Sequence, residues 1–128
     1  MTSYIDAIEN SEIETYKTVE EAAVEAAEQQ LDMPLPPKYR NIVKAFGVLE
    51  IGSDEIFGLG VEGYLNVCET TLQERKLTEG KLDNYIVIQN LGIGILIVID
   101  AQDEVYEYQS GKLKALQMKT DEYILQLA

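Results

Sequence analysis

The chain has 128 residues, enough for one domain with its own core, and 46% of them are hydrophobic, which excludes a disordered acidic tail. Its 23 acidic and 10 basic side chains give a net charge of −13, a balance that repels nucleic acid and anionic membranes and attracts basic proteins. There is no histidine and one cysteine, which excludes histidine-based catalysis, histidine-ligated zinc and an intrachain disulfide.

The sequence predicts a cytoplasmic protein. Its longest apolar run, Ile93–Ile99, is far shorter than the roughly 20 residues that cross a membrane. The first ten residues carry neither a basic start nor an apolar segment, so we expect no signal peptide. The acids are concentrated early in the chain, because residues 1–32 hold nine of them against Lys17 alone.

Two helices are predicted before the first proline, Pro34. Ser3–Asn10 is compatible with a short helix, and Thr18 with Glu21 has the spacing of a capping box that begins a longer one. Helical spacing then predicts an inner, mostly alanine stripe. Its members are Val19, Ala22, Ala23, Ala26, Ala27 and Leu31.

A further helix begins at Pro37, where a missing N–H costs nothing, and ends at Gly47. Its inner residues are predicted to be Tyr39, Ile42, Val43 and Phe46. Residues Asn66–Leu77 predict another helix, with Cys68 and Leu72 facing inward. Thr120 is predicted to cap a last helix whose inner residues are Tyr123, Ile124 and Leu127.

The remaining apolar segments predict strands. The turn composition of residues 52–54 separates the first two strands, Val48–Ile51 and Glu55–Leu59. Three or four strands follow later in the chain: Tyr85–Asn90, Gly94–Asp100, Glu104–Tyr108 and Lys112–Leu116. The links at residues 101–103 and 109–111 are hairpin-sized, so these strands are expected to be antiparallel neighbours. The sequence therefore predicts a single α+β domain over residues 1–128, with an antiparallel-dominated mixed sheet of about six strands and helices packed mainly on one face.

Residues Ile95–Ile99 are apolar on both faces of their predicted strand, a pattern typical of a central strand that is covered twice. Two interpretations stay open. Either the helices and loops of this chain cover both faces, or a partner or a second copy, as a homodimer, covers one of them.

Residues Gly58–Gly63 spell G-x-G-x-x-G, which resembles a dinucleotide-binding fingerprint. The preceding strand is short, and Tyr64 to Asn66 delay the next helix, so no helix N-terminus lies directly at the glycines to hold a pyrophosphate. The favoured interpretation is that these glycines permit turns with positive φ. A small nucleotide-binding protein using Gly58–Gly63 remains an alternative.

Three other features give weak signals for chemistry. Residues Pro36–Tyr39 match a P-P-x-Y docking motif, but a helix start explains the same residues. Asp100, Asp103 and Glu104 cluster at a hairpin tip without the spacing of a calcium loop. Cys68 in a helix is typical of a small core residue. We therefore predict no catalytic residue, no metal site and no cofactor.

Several segments together resemble the SUKH superfamily, which includes the yeast cell-wall-assembly regulator and many bacterial immunity proteins. Leu31–Tyr39 supplies the L-P-x-x-Y/F element, and Ile51–Leu59 follows the second helix. Ile86–Ile88, Leu96–Asp100 and Glu104–Tyr108 match the later strands. The similarity spans roughly residues 18–127. The segment Asn90–Gly94 is more apolar than the usual polar, glycine-rich one.

The resemblance implies a cytoplasmic immunity protein that binds and neutralises a cognate secreted or contact-delivered toxin, such as a nuclease. A regulatory protein-interaction module like the eukaryotic members is the alternative. The acidic balance fits a toxin with a basic surface, with neither nucleic acid nor membrane as partner. Tyrosines are included as aromatic anchors. The predicted contact residues are Glu50, Asp54, Glu55, Asp100, Asp103, Glu104, Tyr106, Glu107 and Tyr108.

Overall fold

The computed structural model describes residues 3–128, and these form five α-helices and two antiparallel sheets. The α+β class is confirmed, but the predicted single sheet of about six strands is wrong. The helices are α1 Tyr4–Glu9, α2 Glu21–Leu31, α3 Pro37–Phe46, α4 Val67–Leu77 and α5 Thr120–Leu127. The strands are β1 Glu14–Thr15, β2 Leu49–Ile51, β3 Asp54–Ile56, β4 Ile86–Gly92, β5 Ile95–Ile99, β6 Glu104–Gln109 and β7 Lys112–Lys119.

Helix α1 begins as predicted, since the Ser3 hydroxyl accepts the Asp6 N–H. The predicted capping box at Thr18 is wrong, because α2 begins after Glu20 and the Val19 N–H donates to Lys44 O instead. The predicted alanine stripe is only partly buried. Helix α2 buries Val24, Ala27 and Leu31, whereas Ala22, Ala23 and Ala26 are exposed.

Helix α3 matches its prediction and anchors the core. All four predicted inner residues are buried, and Gly47 follows the last turn with φ of 75°. In α4, Cys68 is buried as predicted, but Leu72 is 40% exposed, so the prediction that it faces inward is wrong. Thr71 takes the inner position, where its hydroxyl accepts the Val87 N–H at 3.0 Å.

The first sheet has the order β1-β2-β3. Its first strand is only two residues long and was not predicted. Leu49 of β2 lies opposite Ile56 of β3, and both are buried, so this side of the sheet faces the core. Residues one position away, Glu50 and Glu55, lie opposite each other on the outer side.

The second sheet has the order β4-β5-β6-β7, joined by three hairpins. Its central strand β5 is covered by the chain itself on both sides. Ile97 lies opposite Gln89, which accepts a hydrogen bond from Tyr123 of α5. Val98 lies opposite Tyr106, and Tyr85 packs edge-on against that ring. Residues 96–99 are all at most 6% exposed, so other parts of this chain cover both faces of β5, as the first interpretation predicts.

The two sheets meet at a bulge in β4. The Phe57 N–H, just beyond β3, donates to Ile88 O at 2.8 Å. Beside it, the Gln89 side chain donates to Asp54 Oδ1 at 3.0 Å and accepts from Tyr123. This polar chain links β3, β4 and α5, so it fixes the first sheet relative to the second.

Candidate partner-binding surface

Three glutamates form a row across the outer side of the first sheet. Glu14 lies opposite Glu50, and Glu50 lies opposite Glu55. Like charges directly opposite one another destabilise a sheet, and adjacent strands hold them about 5 Å apart. The ion pairs found within residues 3–128 involve other carboxylates. We call Glu14, Glu50 and Glu55 the acidic row.

Two exposed tyrosines flank the acidic row. Tyr64 is 62% exposed and its hydroxyl donates to both oxygens of Glu55, at 3.0 and 2.9 Å. That hydrogen bond to a carboxylate raises the pKa of Tyr64. Tyr16 is 55% exposed and lines a groove of about 150 Å³ together with Glu14 and Glu50. Carboxylates beside exposed aromatic rings suit contact with a basic protein surface.

A larger groove lies between the β2–β3 turn and the β4–β5 hairpin. It has a volume of about 430 Å³, and its polar side carries Asp54, Glu55 and Tyr64. Its other side is formed by the hairpin, including Leu91 and Gly92. The structure thus brings together three of the predicted contact residues, Glu50, Asp54 and Glu55, within one continuous region.

Three other predicted contact residues are engaged inside the β5–β6 hairpin. Asp100 Oδ1 accepts the backbone N–H groups of Gln102 and Glu104, at 2.9 and 3.0 Å. Its second oxygen accepts the Tyr106 hydroxyl at 3.0 Å. Glu104 pairs with Lys119 at 2.9 Å. These side chains stabilise the hairpin, and they lie apart from the acidic row.

Asp103 is buried, with 3% of its surface exposed. Its carboxylate accepts the backbone N–H groups of Lys38 and Tyr39, at 2.9 and 3.1 Å, and the Thr120 hydroxyl at 2.8 Å. It therefore caps α3, whose own N-cap residue, Pro36, offers no side-chain acceptor. This position gives Asp103 a structural role, and we leave it out of the proposed contact surface.

Tyr108 is also buried, at 8% exposure, so core packing accounts for it. Glu107 is half-buried and lies opposite Lys114 in the sheet. The pKa of Tyr123 is raised to about 12. Burial is the largest cause, and the negative charges of Asp54 and Glu107 add to it. Five predicted residues therefore have partners or packing within the fold and lie outside the acidic row: Asp100, Asp103, Glu104, Tyr106 and Tyr108.

Sequence reasoning missed Glu14, Tyr16 and Tyr64. Glu14 joins the row only through pairing with a residue 36 positions later, and a two-residue strand has no period to detect. Tyr64 follows a loop and reaches Glu55 through its 3₁₀ turn, Gly63–Leu65. No local signal in the sequence identifies these contacts.

The glycine motif has structural roles. Gly58 is buried, and a Cβ there would overlap the carbonyl oxygen of Gly47. The start of α4 is already occupied, since Asn66 Oδ1 accepts the N–H groups of Cys68 and Glu69. The Glu69 carboxylate also accepts the Gly63 N–H at 3.2 Å. A carboxylate at the helix start disfavours a pyrophosphate there.

The other weak signals also have structural explanations. Tyr39 is fully buried and its hydroxyl donates to Phe57 O, so the P-P-x-Y tyrosine is inaccessible to a docking module. Burial raises the pKa of the Cys68 thiol, which lies 2.9 Å from Gln30 Oε1. Across residues 3–128, no cluster of metal-ligating side chains occurs. The same residues contain no helix long and apolar enough to cross a membrane.

Comparison with known proteins identifies the family. A family model, SUKH_5, described as SMI1-KNR4 cell-wall, matches residues 1–127. No curated protein matches the chain. The match spans nearly the whole chain, which agrees with the resemblance in the order of the L-P-x-x-Y element, the two helices and the later strands. The chain therefore belongs to the SUKH superfamily, in its SMI1-KNR4 cell-wall family.

Proposed function

We propose that this protein is a cytoplasmic immunity protein that binds and neutralises a bacterial toxin with a basic surface, such as a nuclease. It acts by docking and carries out no reaction. Membership of the SUKH superfamily supports this proposal. The observation that carries it is the acidic row of Glu14, Glu50 and Glu55, held outward by a paired sheet.

The acidic row is unfavourable for folding alone and favourable for docking. Facing carboxylates repel one another in the free protein, and lysines or arginines of a partner relieve that repulsion. A nuclease carries a basic cleft for its substrate backbone, and a line of carboxylates can occupy such a cleft. The net charge of −13 for the whole chain adds long-range attraction that speeds the encounter.

The description of the family as SMI1-KNR4 cell-wall favours one alternative, a regulatory interaction module. The two functions predict different gene surroundings, because an immunity gene accompanies the gene of its toxin. They also predict different phenotypes. Loss of an immunity protein exposes the cell to killing, whereas loss of a regulator alters cell-wall growth without any toxin.

The proposal is tested by co-expression with the product of the neighbouring gene in a killing assay. The wild-type protein should protect the cells, and the double charge reversal Glu50→Lys/Glu55→Lys should not. The control variant Glu25→Lys changes an exposed carboxylate of α2, outside the row, and should protect fully. Death of cells that express soluble wild-type protein would refute immunity to that product.

The charge reversal should leave the fold intact, because Glu50 is exposed and Glu55 is only partly buried. The pair at positions 50 and 55 stays like-charged, as in the wild type, while the pair at positions 14 and 50 becomes attractive. An unchanged Tm of the purified double variant therefore separates lost docking from lost folding. Equal protection by the double variant and the wild type would show that the acidic row is not the contact surface.

A further inference from the structure

The tip of the β4–β5 hairpin has an unusual residue in its turn. Gly92 lies opposite Ile95, so Ile93 and Gly94 alone form the two-residue turn. Their φ angles are 48° and 80°. A turn with positive φ at both positions favours Asn-Gly, whereas a β-branched side chain is strained in this region. Asparagine at position 93 would therefore make this turn more stable than isoleucine does.

Burial does not compensate for this strain. The Ile93 side chain is 88% exposed, and Leu91, which lies at a register shift in β4, is 43% exposed. A single exposed apolar residue is ordinary. Here the residue is exposed and also occupies a backbone conformation that opposes it, so neither packing nor turn geometry explains it.

The surroundings of the tip match the centre of a protein interface. Leu91 and Gly92 line the groove of about 430 Å³ whose opposite side carries Asp54, Glu55 and Tyr64. An apolar anchor beside a charged, tyrosine-containing rim is the usual arrangement of a contact hot spot. The carboxylates indicate what the partner surface contains. They favour a partner with lysine or arginine side chains next to an apolar pocket.

We infer that Leu91 and Ile93 form an apolar anchor through which this protein binds its basic partner. The inference rests on the proposed function and takes the toxin as the occupant. In this arrangement the acidic row attracts the toxin and pairs with its basic residues, while the hairpin tip enters a pocket of the toxin. The tip then determines how long the complex lasts, because desolvated apolar anchors act mainly on dissociation.

The substitution Ile93→Asn tests this inference, since it should change stability and binding in opposite directions. It gives the turn its preferred Asn-Gly sequence, so Tm should rise by about 2–5 °C. It removes the anchor, so affinity for the purified, inactivated product of the neighbouring gene should fall at least tenfold, mostly through faster dissociation. Ile93→Gly, which also relieves the strain, should weaken binding similarly.

The control variant is Leu77→Asn, which removes a 65% exposed apolar side chain from α4, outside the groove; its affinity should equal that of the wild type. If the wild type does not bind the product, the proposed function fails. If the wild type binds and Ile93→Asn binds equally well, the anchor inference alone is overturned. A lower Tm of Ile93→Asn, or a wild-type dimer that this substitution converts to monomer, also overturns it.

Discussion

Removal of the Asp103 carboxylate tests the assignment of this residue to the core. In Asp103→Ala, the N–H groups of Lys38 and Tyr39 lose their acceptor, and the Thr120 hydroxyl keeps only the backbone carbonyl of residue 103, at 3.4 Å. Each buried donor left without a partner costs about 1–3 kcal/mol, and some are rescued by water. Alanine is also strained at the φ of 64° found here. We expect a total loss of about 3–5 kcal/mol in the free energy of unfolding.

For 128 residues, the entropy of unfolding converts this loss into a drop in Tm of roughly 11–18 °C. Urea denaturation at pH 7, followed by circular dichroism, measures the free energy directly. Asp103→Asn is the matched variant, since asparagine tolerates positive φ and keeps one acceptor oxygen. It should lose only about 1–2 kcal/mol. A loss below about 1 kcal/mol for Asp103→Ala would refute the capping role.

Three further outcomes follow from individual contacts. Gly58→Ala should prevent folding or lower Tm by more than 10 °C, because the new Cβ meets the Gly47 carbonyl; a Tm near the wild-type value contradicts this. Arg40 and Lys44 lower the pKa of Glu21 from 4.5 to about 2, so Glu21 stabilises the fold fully above pH 4.5 and progressively less down to about 2. The Tm gap between wild type and Glu21→Gln should therefore shrink from pH 7 to pH 2, and a constant gap would disprove the pairing. Iodoacetamide should modify buried Cys68 at least tenfold faster in urea than in buffer; equal rates would show that the thiol is accessible.

Local patterns sufficed for most elements of the fold. Helix α3 was predictable because proline, the apolar spacing and Gly47 all act within one segment. Two hairpins of the second sheet, β5–β6 and β6–β7, were predictable from their short polar links, residues 101–103 and 109–111. The start of α2 was not, because the Val19 N–H donates to Lys44 O, a contact that the capping-box pattern does not contain. The division into two sheets likewise depends on the bulge at Ile88, which only the folded chain reveals.

The proposed contact surface was predictable only in part. Glu50, Asp54 and Glu55 stand out because they flank a turn rich in acids, and the structure places them together. Glu14 joins them through long-range pairing that no local pattern encodes. Asp103 had the same appearance in the sequence as an exposed acid, yet it is buried as the cap of α3. Charge alone does not separate a docking carboxylate from a capping one.

Hydrogen–deuterium exchange of the complex with the inactivated product of the neighbouring gene locates the docking surface. Docking through the acidic row and the hairpin tip predicts slower exchange in peptides that cover residues 49–56 and 89–95, which carry Glu50, Glu55 and Ile93. Peptides from α2 and from β7 should exchange at the rates of the free protein. Protection confined to α2 or β7, with residues 49–56 unchanged, would contradict docking through the acidic row.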